Sequence, residues 1–103
     1  METEYFYQKV IKPRCLGEHA IELIDIVTFY RVEKRTARSV LLCEVATQIT
    51  ASFGGRLLAT PSTHPDAARG SQVRRFLRKD GTVELKQYVW LSPWNGKAIE
   101  VRQ

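Results

Sequence analysis

Read as a strand, residues 83–91 place Glu84, Lys86, Tyr88 and Trp90 on one face and Val83, Leu85, Val89 and Leu91 on the other. If the aliphatic face is buried, two aromatic rings stand free beside an ammonium group. The stretch 73–78 repeats the theme, with Arg74, Phe76 and Arg78 sharing a face and Arg75 opposite, and Lys79 follows at once. Rings of this kind stack on nucleobases, and Arg and Lys meet phosphate. Brought into register, Arg74, Phe76, Arg78, Lys79, Lys86, Tyr88 and Trp90 compose a face suited to single-stranded DNA or RNA. The same residue types also have an ordinary use, because Tyr and Trp pack cores and residues 15–27 or 50–72 could cover that face. Exposure of the rings is what separates the two readings.

Other residue types offer less. Trp94 lies in the turn Ser92-Pro93-Trp94-Asn95-Gly96-Lys97, where a large ring either anchors a partner or folds back as a plug. Cys15, His19, Cys43 and His64 are zinc-ligand types, and Cys15 and His19 have an allowed spacing. Cys43 and His64 form no matching second pair, so neither a metal nor any other cofactor is expected. Cys43 reads as a core thiol. His64 sits with Ser62, Thr63 and Asp66 in one loop that lacks a supporting scaffold, and no nucleophile elbow or phosphate-cradling loop occurs. No catalytic residue is nominated, and the protein is not expected to be an enzyme.

The elements that must position these side chains read as β. Residues 5–11 are aromatic and β-branched and end at Pro13; residues 26–33 and 40–47 are further strands joined by a polar link. The segment 18–27 admits a short helix or a strand, since its Ala, Leu, Ile and Val fit both periods. Residues 50–72, with Gly54-Gly55, Pro61, Pro65 and Gly70, read mainly as a mobile loop, with a short strand at 56–59. Asp80-Gly81 and Asn95-Gly96 are tight-turn pairs, and 98–102 is a last strand. Short strands with regular turn signals predict an all-β fold, a small antiparallel, curled SH3-like barrel or sheet.

The chain has 103 residues, enough for one domain. Its net charge of +5 is uneven. Residues 1–25 carry three basic against five acidic side chains, whereas 26–103 carry thirteen against six. An acidic N-terminal segment therefore precedes a basic β core, which would attract polyanions. No apolar run approaches the ~18 residues of a membrane span. The acidic start Met1-Glu2-Thr3-Glu4 is unlike a signal peptide, and two cysteines are too few for a disulfide scaffold. A cytoplasmic location is the expectation, with no membrane partner.

Several motifs in order carry a resemblance. Phe29-Tyr30-x-Val32-x-Lys34-x-Thr36-Ala37-x-Ser39-Val40, then Arg74-Arg75, Lys79-Asp80-Gly81 and Ser92-Pro93-Trp94-Asn95-Gly96-Lys97, resemble a group of short β proteins of bacterial phages and plasmids. The resemblance covers about residues 26–100. Asn95 stands where the group's pattern has Asp, and the 54–69 segment differs. It implies a mobile-element setting and no activity for any residue. Two functions are thus expected, first a non-enzymatic nucleic-acid-binding accessory protein. The alternative is a protein-binding inhibitor of a host defence system, of anti-CRISPR or anti-restriction type.

Overall fold

A computed structural model describes residues 3–102. Nine strands follow one another: β1 (Tyr5–Cys15), β2 (Ile21–Arg35), β3 (Ser39–Val45), β4 (Thr47–Phe53), β5 (Arg56–Pro61), β6 (Ala68–Phe76), β7 (Val83–Lys86), β8 (Val89–Pro93) and β9 (Ile99–Arg102). A single 3₁₀ turn, Pro65–Ala67, leads into β6. No α-helix occurs among the described residues, and none of them forms a helix long and apolar enough to cross a membrane.

Six strands form one antiparallel sheet in the order β6-β3-β2-β1-β8-β7. It curls until Leu77, just past β6, pairs with Val83 of β7, so the sheet is nearly closed into a barrel. The Arg75 guanidinium, donating from Nε to the Leu85 carbonyl at 2.6 Å, ties the same seam. Closure removes open edges that would otherwise invite aggregation. Inside lie Phe6, Val40, Leu42, Val83 and Leu91, all essentially buried. Pairs Phe6↔Tyr30, Val32↔Leu42 and Val83↔Leu91 put these side chains on one face of the sheet.

The opposite face carries a second core. Strands β4, β5 and β9 form a small sheet over it. Tyr5, Phe29, Val45, Ala59, Ala67 and Val101 are buried between the layers. Both cores draw on β1, β2 and β3, so strict alternation along these strands feeds two apolar layers. That explains why residues 40–45 are apolar on both faces.

Of the two alternatives for 18–27 the strand is found: Gly17 begins a turn closed by the Leu16 N–H donating to the Ala20 carbonyl at 2.9 Å, and β2 starts at Ile21. Its β-branched residues pair residue for residue with β1 from Cys15↔Ile21 to Tyr5↔Arg31. Residues 50–72 are not one loop but the end of β4, all of β5 and the start of β6. Gly54 and Gly55, at φ 53° and 78°, make the tight β4–β5 turn, so the glycines join two strands there. The acidic N-terminal segment, from residue 3 on, is built into the same sheet. Tyr5 and Phe6 each sit in one of the cores, and the charge boundary falls inside β2.

Candidate nucleic-acid interface

Residues 83–91 are two strands and not one. The chain reverses at Gln87-Tyr88, and Glu84↔Trp90 and Lys86↔Val89 pair across the hairpin with a bulge between. Sequence gave no warning of this turn, because it contains no Gly, Asn, Asp or Pro. The left-handed position is held by Tyr88 at φ 63°, the one non-glycine residue with positive φ among those described. A bulky residue in that region is strained.

Up to the bulge the alternation survives the reversal, because the antiparallel partners Val83↔Leu91 and Glu84↔Trp90 each share a face. Leu77↔Val83 and Val83↔Leu91 form an inward row, so Phe76, Arg78, Glu84 and Trp90, which flank it, point outward across the seam. Arg74, two residues before Phe76, shares that side of β6. Phe76 is 76% exposed, Tyr88 78% and Trp90 44%. Arg74, Arg78, Lys79 and Lys86 are exposed as well. The residues nominated from sequence are therefore gathered on the outer surface of β6, β7 and β8 and the two turns that join them.

Within the set the contacts are specific. The Arg78 guanidinium lies over the Trp90 ring, 5.9 Å from its centre, and 3.5 Å from the Glu84 carboxylate. Arg78 thus braces one face of the indole by cation–π attraction. Arg74 donates to the Ser39 hydroxyl at 3.1 Å. Among the described residues Arg74, Lys79 and Lys86 have no ion-pair partner. The Lys79 turn is fixed by Asp80, whose carboxylate accepts from the Thr82 N–H at 3.0 Å and the Thr82 hydroxyl at 2.6 Å. These bonds hold the Asp80 carboxyl below its ordinary pKa, with the positive charge of Arg78 adding to the effect.

Tyr88 and Trp90 face a shallow groove of about 400 Å³ with Tyr7, Lys9 and Ser92. Lys9 lines this groove because β1 pairs with β8 at Tyr7↔Ser92, while its ammonium donates to the Glu100 carbonyl at 3.0 Å and pairs with Asp25 at 3.6 Å. Lys9 also borders a charged groove with Asp25, Arg56, Glu100 and Arg102. Asp25 in that groove accepts from the Arg102 N–H at 2.9 Å, which lowers its pKa against the opposing effect of burial.

Trp94 lies elsewhere, in the plug arrangement. Its ring meets Tyr5 and Phe29 edge-on, with centres 5.7 and 5.8 Å away. Its Nε1–H donates to the Lys97 carbonyl at 2.7 Å, and the Asn95 side chain accepts from the Lys97 N–H to close the turn. Trp94 is thus a packing residue of the second core. Cys43 is buried and Cys15 exposed at the far end of β1, and no three metal-ligating side chains converge among the described residues. His64 caps the 3₁₀ turn, its Nδ1 accepting from the Asp66 N–H at 3.1 Å.

No protein-family model matches the chain, and comparisons with curated proteins and with solved structures return no match either.

Proposed function

We propose that the protein is a non-enzymatic nucleic-acid-binding accessory protein, its ligand single-stranded DNA or RNA. The observation that carries this is the exposure of Phe76, Tyr88 and Trp90 on a surface that also bears Arg74, Arg78, Lys79 and Lys86. Exposed large rings among cations are costly as mere surface and useful as a stacking platform. The strained backbone of Tyr88 supports the same reading, since a turn built only for folding would favour Gly or Asn. In this reading Tyr88 and Phe76 stack on bases, Trp90 offers the ring face that Arg78 leaves free, and Lys79, Lys86 and Arg74 meet phosphates. The motif resemblance supports a bacterial mobile-element setting.

The test is fluorescence anisotropy with labelled oligonucleotides, single-stranded and duplex, over a range of salt. Tighter binding to single strands is expected. Three to four phosphate contacts should give a slope of log K against log salt of about −2 to −3. No binding at low salt refutes the proposal. If a lysate partner is then retained after nuclease digestion, the inhibitor reading replaces it.

A further inference from the structure

The β1–β2 ribbon runs well past the rest of the sheet. Among the described residues its β1 edge has no partner strand beyond Tyr7, and neither has β2 before Phe29. Register places Tyr7↔Phe29, Lys9↔Val27, Ile11↔Asp25, Pro13↔Leu23 and Cys15↔Ile21 on one face. Near the body that face is the floor of the second core, roofed by β5 and β9 through Ala59 and Val101. The roof ends where Asp25 accepts the Arg102 N–H. Past this point the same face continues bare, with Ile11 58%, Ile21 69% and Leu23 53% exposed, and Leu16 at the tip 59% exposed.

We infer that this bare face is where a second copy of the chain docks, arm against arm, completing the roof that β5 and β9 begin. Area, charge and edge chemistry support that occupant. With Pro13 and Cys15 the face offers on the order of 500 Å² per copy, and two copies reach on the order of 1,000 Å², the threshold of a specific interface. A patch of this size is as large as the largest on a typical monomer, and such patches are often functional. The protein carries +5, so two copies repel over most of their surface. Residues 9–25 are the exception, because Lys9, Lys12 and Arg14 balance Glu18, Glu22 and Asp25. Copies can therefore meet at the arm without like-charge cost, while anionic lipid gains no attraction there. Edge-to-edge pairing would leave the apolar face in water. Pro13, having no N–H to donate, also blunts the β1 edge. Face-to-face packing alone buries the exposed rows.

Sedimentation equilibrium of the full chain, with reductant to keep Cys15 from cross-linking, tests this. A reversible dimer with a micromolar dissociation constant is expected. Leu23→Lys should weaken it by roughly 30-fold or more, the effect of a lost central contact. Ile49→Lys, on the exposed β4, should leave it intact. Leu23 belongs to neither core, so the far-ultraviolet circular dichroism of L23K should match the parent. A monomer up to millimolar concentration, or a dimer indifferent to L23K, overturns the inference. Binding of uncharged lipid vesicles by a monomeric protein would reassign the face to membrane.

Discussion

Replacing Tyr88 with glycine separates folding from binding at the candidate site. The ring is 78% exposed, so the folded state hides only roughly 50 Å² of it, worth about 1 kcal/mol at ~25 cal/mol per Å². Glycine adds about 0.5–1 kcal/mol of backbone entropy to the unfolded state. Against these losses, φ of 63° costs a non-glycine residue about 1–2 kcal/mol, which Tyr88→Gly relieves. The terms nearly cancel, leaving a stability change within about 1 kcal/mol, or roughly 4–8 °C in melting temperature. Binding has no such offset. Loss of one stacked ring should cost about 1–3 kcal/mol, a 5- to 150-fold weaker Kd for a single-stranded oligonucleotide. Thermal melts and anisotropy on the same preparation supply both numbers. A melting temperature lowered by much more than about 10 °C would show that the ring packs the hairpin. Unchanged affinity in a stable Y88G protein would remove Tyr88 from the interface.

Other consequences follow from the same geometry. Trp94→Ala, which deletes the edge-on contacts to Tyr5 and Phe29, should destabilise by about 3 kcal/mol and leave the oligonucleotide affinity of the remaining folded protein unchanged. Asp25 has its pKa held below the ordinary 3.8 by the Arg102 N–H, so its ionised form stabilises the fold above that pH and the contribution fades as pH falls through the lower folded value. The stability gap between parent and Asp25→Asn, measured by thermal melts, should therefore be full near neutrality and shrink in strong acid. Tyr30 has its pKa raised above 10.0 by burial and the neighbouring Glu44 charge, so its contribution is complete below pH 10 and lost as the pH rises through the folded value. Tyr30→Phe should be less sensitive to alkaline unfolding, followed by circular dichroism.

The legibility of the site has a physical explanation. Antiparallel pairing keeps Glu84 and Trp90 on the one face that strand period assigns them, whether 83–91 is one strand or a hairpin, whereas Lys86 and Tyr88 are exposed because they lie at the bulge and the turn. The turn at Gln87-Tyr88 was hidden because its left-handed residue is a tyrosine and not a glycine. The place of Lys9 in the groove was hidden because its neighbours Tyr88 and Trp90 lie about eighty residues away and are joined to it only through the β1–β8 pairing.

Sequence by itself determined the all-β character, the Asp80-Gly81 turn and the set of rings and cations set apart from the aliphatic core, because these depend on local period and turn chemistry. Long-range packing decided the rest. It curled the sheet until Leu77 met Val83, set Arg78 over Trp90 and drew Trp94 down between Tyr5 and Phe29. It also decided which apolar residues are covered. Phe29 and Leu23 lie on the same face of β2, yet β5 and β9 roof the first and leave the second in water, a difference of position against a second sheet that local pattern does not encode.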